Sequence, residues 1–355
     1  MHLLVCISHH GRGHLAQTAP VLNALQARLP CLRLTVRSAL PREVLAGRIR
    51  APFTHDPRPA DCGFVMHDAL RLDVEASLRE HLAFHADWPA RLAAEADALC
   101  GAGVDAVLSN VAYLPLAAAR QAGLPAVALC SLNWLDIFRH YLGERAQAQA
   151  ILAEMRAAYA SAASFLKPEP AMPMPDLDNT RPIPPVAEPG RRRREELARR
   201  LGLAADDRLV LLGMGGIGYR PPGERWAGDG SIHWLVPDDW PSGRNIHAFA
   251  ATGMPVADLL ASCDAVVTKP GYGTFVEAAA AGIPVVYLSR PDWPETPWLT
   301  QWLHHHARAM QIDEAALQTG RLVETLKRLW AQPAPSPVRC EGGAAAARLL
   351  MELLD

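Results

Sequence analysis

The feature that most constrains this fold is a rhythm of short apolar runs alternating with helical patterns, which occurs twice along the chain. The apolar runs lie at 3–8, 32–38, 105–110 and 126–131, and again at 208–216, 231–237, 245–250, 264–274 and 283–289. Short buried strands that alternate with helices predict a parallel, doubly wound sheet. Because the rhythm restarts, we expect two such sheets.

The two halves are separated by a proline-rich segment. Residues 167–189 read KPEPAMPMPDLDNTRPIPPVAEP, which is too rich in proline for a helix or a central strand, and we interpret them as a linker. We predict an N-terminal domain over 1–180 and a C-terminal domain over 190–355, whose last helix can return to the first domain. The expected fold class is α/β, with two Rossmann-like, doubly wound domains facing each other across a cleft.

Composition excludes several classes of protein. The net charge is -2 and 20% of the residues are charged, so nothing indicates a nucleic-acid binder. The seven cysteines form no C-x-x-C pair and lie mostly in apolar runs, which is typical of a reducing compartment. No apolar run approaches the ~20 residues of a membrane span, and the N-terminus lacks a basic signal-peptide start. We expect a cytoplasmic protein with at most peripheral membrane contact.

The sharpest local signal is the segment Lys269–Glu277, KPGYGTFVE, in which a buried strand ends in glycines and a helix begins. Unpaired amides and the helix dipole make such a helix start an anion site, and Thr274 can cap the helix or donate to a phosphate. We expect Glu277 on the first turn of this helix, where its carboxylate can accept hydroxyls from a ribose. The competing interpretation is a plain strand–turn–helix, with Thr274 as the cap and Glu277 complementing the dipole.

A second signal is HHGRGH, residues 9–14, directly after the first strand. Gly11 and Gly13 allow close approach of a ligand to the backbone. His14 stands where the first helix starts, and a histidine there can act as general base because its pKa lies near neutrality. Taken singly, each of these histidines is more often a loop residue without chemistry.

Further candidates follow other strands. Gly215 and Gly216 end the first strand of the second half and can admit a phosphate or a sugar, or form an ordinary turn. Asn133 and Trp134 follow the strand at 126–131 and are candidates for the acceptor side. No metal ligands are apparent around the histidines at 304–306, and we assign no metal.

Gly11, Gly13 and Ala16 can also be read as a G-x-G-x-x-A dinucleotide fingerprint. The second strand ends near Arg37 without an acidic residue, which would indicate NADP rather than NAD. This reading leaves Lys269–Glu277 unexplained.

These motifs together resemble the GT-B glycosyltransferase superfamily. The chain is most similar to the glycosyltransferase-like N-terminal domain of plant arabinokinases, and its donor segment is also similar to family 1 and family 28 transferases. The motifs that carry the resemblance are GRGH, DAVLSNVAYLPLAAARQAGLPAVALCSLNWLDIF, LLGMGG and SCDAVVTKPGYGTFVEAAAAGIPVVYLSRPDWPETPWL.

The resemblance implies a metal-independent, hexosyl-type transferase without a cofactor. Its substrates would be a nucleotide sugar, with UDP favoured, and a small-molecule, lipid or glycan acceptor. His14 would be the catalytic base, with His10, Gly11, Gly13, Asn110, Asn133 and Trp134 on the acceptor side. The nucleotide would contact Gly215, Gly216, Phe249, Lys269, Gly271, Tyr272, Gly273, Thr274 and Glu277, and the donor sugar would contact Asp292 and Glu295.

The sequence also departs from the pattern. Family 1 transferases orient the base histidine with an aspartate, and a plausible position here holds Asn110, which cannot stabilise an imidazolium as a carboxylate does. Gln17 stands where the arabinokinase-like pattern often has arginine. The sugar-kinase domain is absent, so we expect no kinase activity. A nucleotide-sugar hydrolase or epimerase, and a non-catalytic nucleotide-sugar binder, are therefore alternatives beside the NADP oxidoreductase.

Overall fold

The structure is a computed structural model that describes residues 1–216, 218–219, 230–241, 243–319 and 322–354. Two parallel sheets, each covered by helices on both faces, form two lobes. The elements of the first lobe are β1 (His2–Ile7), α1 (Gly13–Arg28), β2 (Arg33–Arg37), α2 (Arg42–Ala46), β3 (Thr54–Asp56), α3 (Val74–His85), α4 (Trp88–Gly101), β4 (Ala106–Asn110), α5 (Leu114–Gln121), β5 (Ala126–Leu129), α6 (Trp134–Leu142), α7 (Ala148–Ala160), β6 (Ser164–Pro168) and β7 (Thr180–Ile183).

The second lobe continues the same alternation. Its elements are α8 (Arg194–Leu201), β8 (Arg208–Leu212), β9 (Ile232–Val236), β10 (Ile246–Ala248), a 3-10 helix (Phe249–Thr252), α9 (Val256–Ser262), β11 (Ala265–Thr268), α10 (Tyr272–Ala281), β12 (Val285–Leu288), α11 (Thr296–His306), β13 (Ala309–Ile312), α12 (Glu314–Gln318), α13 (Val323–Trp330) and α14 (Gly342–Leu354). The predicted α/β class and the pair of doubly wound sheets are confirmed.

Strand order explains where a ligand can bind. The first sheet runs β3-β2-β1-β4-β5-β6-β7 and the second runs β10-β9-β8-β11-β12-β13. In each sheet the order reverses beside the first strand, between β1 and β4 and between β8 and β11. A crevice opens at such a reversal, outside the carboxyl ends of the strands. The loops after β1, β4, β8 and β11 therefore face the same cleft.

Each sheet is buried because its strands are apolar on both sides. In β1, Leu3, Val5 and Ile7 join one apolar core, while Leu4 and Cys6 join the core on the other face. Residues that alternate along a strand point to opposite faces, so a continuous apolar run indicates a strand covered twice.

The proline-rich segment is the main correction to the sequence-based organisation. Its first two residues, Lys167 and Pro168, end β6, and Thr180–Ile183 form β7 at the edge of the first sheet. Pro182 pairs with Lys167 in this parallel ladder. An edge strand tolerates proline because the missing N–H can face away from the sheet. The chain leaves the first sheet only after Ile183.

The chain returns to the first lobe at its end. Helix α14 packs against α1, and Ala346, Ala347 and Leu350 are fully buried in the core that contains Leu15 and Val21. A Cβ added at Gly343 would lie 3.2 Å from Pro20, so the two helices approach closely at that point.

Candidate functional site

The cleft between the lobes contains two connected cavities. The smaller, of about 140 Å³, is lined by loops that follow strands of both sheets. Its lining includes residues 10–14, Ala16, Gln17, Arg48, Ser131, Leu132, Met214, Gly215, Gly216, residues 268–274, Glu277, Arg290, Trp293 and Glu295. The larger, of about 770 Å³, shares Gly215, Gly216, Thr274 and Glu277 and extends over the second lobe to Asp238, Trp240 and Phe249.

Two helices begin at the smaller cavity. Helix α10 starts at Tyr272 after Gly271, and helix α1 starts at Gly13. Neither start has a side-chain cap, so the first amides of both helices remain free for an anion. The prediction that Thr274 caps α10 is wrong, because the helix begins two residues earlier and Thr274 lies within its first turn.

The glycines let backbones approach closely at this point. A Cβ added at Gly273 would come within 2.9 Å of the Ala16 Cβ in α1, so this glycine allows the lobes to meet. Gly215 has a φ of +82°, which favours glycine. Gly216 lies under the Arg12 side chain, with 2.8 Å between an added Cβ and the Arg12 Cγ.

Lys269 places an unpaired amine among these glycines. Its Nζ lies 3.8 Å from a Cβ added at Gly271, and no carboxylate of the described residues is within ion-pair distance of it. Burial, together with the charge of Arg290, lowers the pKa of Lys269 to about 7, and the charge of Glu295 opposes this shift. A diphosphate in the cavity would restore the charged form.

His14 is held by an amide. Its Nδ1 lies 2.8 Å from the Asn110 Oδ1, while the Asn110 Nδ2 donates to the Gln17 Oε1 and to the His14 carbonyl. This pattern turns the Asn110 oxygen toward the ring, so Nδ1 carries the proton and Nε2 keeps its lone pair. Burial lowers the pKa of His14, and the hydrogen bond to Asn110 opposes this shift. The ring lines the cavity as a neutral imidazole, which can accept a proton.

A hydrogen-bond chain links this histidine to the second lobe. Gln17 Nε2 donates to Ser131 Oγ over 2.8 Å, and Ser131 Oγ donates to Glu295 Oε1 over 2.6 Å. Glu295 is buried, which raises its pKa, and it also accepts from the Trp293 indole. Gln17 and Ser131 are site residues that the sequence analysis did not assign. Ser131 could have been found because it lies two residues after β5, at the carboxyl edge of the sheet.

Glu277 already has a partner. Arg48 of the first lobe pairs with both of its carboxylate oxygens across the cleft. Glu277 is the sixth residue of α10, so it lies beyond the first turn where it was predicted. A ribose at this carboxylate would share it with Arg48 or displace the guanidinium.

Three comparisons relate this chain to known proteins. The chain matches no protein-family profile. It is 25% identical over 363 residues to L-arabinokinase of Arabidopsis thaliana, covering 98% of this chain but spanning only about a third of that protein, 34%. The structure is similar to the glycotransferase of kitacinnamycin, with a TM-score of 0.65 and 17% identity over 100% of this chain and 99% of that one.

Two plant structures are similar as well. Arabidopsis thaliana UGT89C1 complexed with UDP aligns with a TM-score of 0.58 and 15% identity, covering 100% of both chains. Phytolacca americana UGT2, complexed with UDP-2fluoro-glucose and pterostilbene, aligns with a TM-score of 0.57 and 13% identity over 100% of this chain and 94% of that one. The chain has the GT-B fold.

Within this GT-B cleft, most predicted site residues come together. His10, Gly11, Gly13, His14, Gly215, Gly216, Lys269, Gly271, Tyr272, Gly273, Thr274, Glu277 and Glu295 line the smaller cavity, and Phe249 lines the larger. Asn110 lies directly behind His14. The Tyr272 hydroxyl is not free to bind the nucleotide, because it donates to the Glu169 carbonyl and accepts from the Val186 amide.

Besides Asn110, three predicted residues lie outside the cavities. Asp292 is exposed and contributes only its carbonyl, which accepts from the Tyr141 hydroxyl. Asn133 is the N-cap of α6, where its side chain accepts from the Asp136 amide. Trp134 is fully buried and donates to Asp61 over 2.7 Å. Asn133 was proposed for the site because it follows a strand, but a short polar side chain at a helix start also serves as a cap.

The structure also bears on the dinucleotide reading. Arg37 is buried and paired with Asp56 and Glu95, so its charge is not available for a 2′-phosphate. Among the described residues, no group of three or more His, Cys, Asp or Glu side chains is arranged to hold a metal ion. No helix within the described ranges is both long and apolar enough to cross a membrane.

Proposed function

We propose that this GT-B protein is a glycosyltransferase that moves a sugar from a nucleoside-diphosphate sugar, with UDP favoured, to a hydroxyl acceptor. The observation that carries the proposal is the meeting of two uncapped helix starts, Lys269 and His14 in one cavity between the lobes. Glycosyl transfer needs an anion site for the leaving diphosphate and a base for the acceptor within reach of the same carbon.

The nucleoside would occupy the larger cavity beside Phe249, where the volume of about 770 Å³ is ample for a nucleotide. The diphosphate would lie at Gly271–Thr274, beside Lys269, and Glu277 would bind the ribose. The sugar would then extend toward Glu295. Two of the similar plant structures are complexes with UDP or with UDP-2fluoro-glucose, which supports a nucleotide sugar as the ligand.

The His14 Nε2 would take the proton from the acceptor hydroxyl as its oxygen forms the bond to the anomeric carbon. The bond between that carbon and the diphosphate oxygen breaks at the same time, and the nucleoside diphosphate leaves with the electron pair. The free amides at the start of α10 and Lys269 would stabilise the charge that develops on it. The chain's own residues thus supply both the base and the leaving-group site.

The base assignment predicts a separation of turnover from binding. His14→Ala should lower kcat by at least about 100-fold, the usual range for losing a general base, while the dissociation constant for UDP stays near that of the wild-type protein. Initial rates with a transferable nucleotide sugar and calorimetric titration of UDP measure the two quantities. His9→Ala removes a neighbouring histidine that does not line either cavity and serves as the matched control. Transfer that survives His14→Ala would show that another group is the base.

A nucleotide-sugar hydrolase is the second candidate, and the small size of the cavity at His14, about 140 Å³, favours it. Water fits where a bulky acceptor does not. Mass spectrometry of the products from a nucleotide-sugar panel without acceptor separates the two functions, because only a hydrolase releases free sugar under those conditions.

A further inference from the structure

Arg290 is a buried cation without a counterion at the sugar end of the cavity. It follows β12, is 6% exposed, and lines the smaller cavity. Its Nε donates to the Leu70 carbonyl over 3.1 Å, and its guanidinium lies 4.2 Å from the centre of the Trp293 ring. Within the described ranges no carboxylate forms an ion pair with it. Buried charges are normally paired, so this one indicates a ligand.

Arg290 and Lys269 have different neighbours in the cavity, although the charge of Arg290 acts on Lys269. Lys269 stands among the glycines, with its Cε 3.8 Å from a Cβ added at Gly215 and its Nζ beside Gly271. Arg290 is instead held by Leu70 of the first lobe and by Trp293. Lys269 therefore suits the diphosphate, and Arg290 lies beside the residues proposed for the sugar.

The surroundings of Arg290 compensate its positive charge only in part, since Glu295 and Asp68 favour its charged form but neither forms an ion pair with it. The nearby carboxylate of Glu295 is occupied by Ser131 and by the Trp293 indole. His10 stacks on Trp293 with ring centres 6.0 Å apart, and burial together with the charges of His14, Arg290 and Lys269 holds the pKa of His10 well below its ordinary value. Burial lowers the pKa of Arg290 itself to about 10, so it remains charged at neutral pH.

We propose that Arg290 binds a carboxylate of the substrate at the sugar end of the cleft. The planar fork of an arginine matches a carboxylate with two parallel hydrogen bonds, and its stacking on Trp293 fixes the plane of that fork. The carboxylate can come from a uronic acid carried by the donor or from an acidic acceptor beside His14. This inference rests on the proposed function, because it assumes that the diphosphate lies at Gly271–Thr274.

The test compares ligands that differ only in the acid group. In calorimetric titrations, UDP-glucuronate should bind the wild-type protein at least about tenfold more tightly than UDP-glucose, the factor expected for one buried charge-assisted hydrogen bond. Arg290→Gln should abolish that preference while changing the affinity for UDP by less than about twofold. Arg290→Lys keeps the positive charge but cannot form two parallel hydrogen bonds, so it should retain part of the preference for UDP-glucuronate. If UDP-glucuronate and UDP-glucose bind equally well, the acceptor is tested as the source of the carboxylate. Glucuronate and glucose are then titrated separately into protein saturated with UDP, and their affinities are compared.

Arg208→Gln is the matched control. Arg208 also stacks on a tryptophan, Trp330, with its guanidinium 5.3 Å from the ring centre, but it begins β8 and lies outside both cavities. The proposal is overturned if neither the nucleotide sugars nor the free sugars show a preference for the acid. It is also overturned if Arg290→Gln lowers the affinity for UDP as much as the affinity for UDP-glucuronate, because Arg290 would then bind the diphosphate. Failure of wild-type protein to bind UDP would overturn the proposed function instead, and this inference with it.

Discussion

Lys269 shows how much the chemistry of one side chain depends on its position. In the sequence, Lys269 is a positive charge beside a glycine loop. In the structure its pKa is lowered to about 7, because burial and the charge of Arg290 disfavour its protonated form. In the ligand-free protein it is therefore charged below about pH 7 and largely neutral above it.

This titration predicts the pH dependence of donor binding. A bound diphosphate favours protonated Lys269, so above about pH 7 binding must take up a proton and affinity should fall, by up to about tenfold per pH unit. The dissociation constant of UDP-glucose, measured by calorimetry between about pH 6 and pH 8.5, should rise with pH in the wild-type protein but stay level in Lys269→Met. Lys327→Met, at an exposed lysine paired with Glu324, should behave as wild type. A level profile in the wild-type protein would contradict this role of Lys269.

Asn110 supplies a second prediction at this scale. As an amide it fixes the tautomer of His14 but adds no charge, whereas Asn110→Asp would place a carboxylate beside Nδ1 and raise the pKa of His14, because a nearby negative charge favours the imidazolium. The acidic limb of the kcat/KM pH profile should move upward accordingly, because a base must be deprotonated to work. An unchanged acidic limb would show that the limb reports another group.

At the scale of elements, the cleft depends on the close approach of α1 and α10. The two helices meet near their starts, where Gly273 faces Ala16. Both positive helix ends therefore converge on one cavity, which neither lobe could form alone.

A compensating pair of substitutions tests this contact. Gly273→Ala adds a methyl group that would lie 2.9 Å from the Ala16 Cβ, so the helices must separate and kcat/KM should fall. Ala16→Gly removes the opposing methyl group, and the double variant should recover more activity than Gly273→Ala retains, with a coupling of about 0.5–3 kcal/mol. Steady-state rates of the two single variants and the double variant give the coupling. Additive losses would mean that the contact does not control the cleft.

At the scale of the whole molecule, strand periodicity was enough to predict two doubly wound sheets, because both faces of each sheet are buried and the strands read as continuous apolar runs. The position of the cavity between the lobes was also predictable, since the glycine loops follow strands at the carboxyl edge. The edge strand β7 was missed because it contains Pro182 and is followed by Pro184 and Pro185, which an edge position tolerates.

Other parts of the site depend on contacts between distant segments. Arg48 meets Glu277, and Ser131 meets Glu295, only because the lobes face each other. Neither pair has a local sequence pattern, so the sequence alone could not predict these contacts. The cleft as a whole, rather than any single motif, carries the case for a nucleotide-sugar site.

The most direct test of that case is a comparison of ligands on the intact protein by thermal unfolding. A ligand that binds only the folded state raises the melting temperature according to its concentration relative to its dissociation constant. UDP at about 100 times its dissociation constant should stabilise the protein by about 2.7 kcal/mol, whereas NADPH at the same concentration should leave the melting temperature unchanged. Stabilisation by NADPH, together with no response to UDP, GDP, dTDP or CDP, would contradict a nucleoside-diphosphate site at the start of α10.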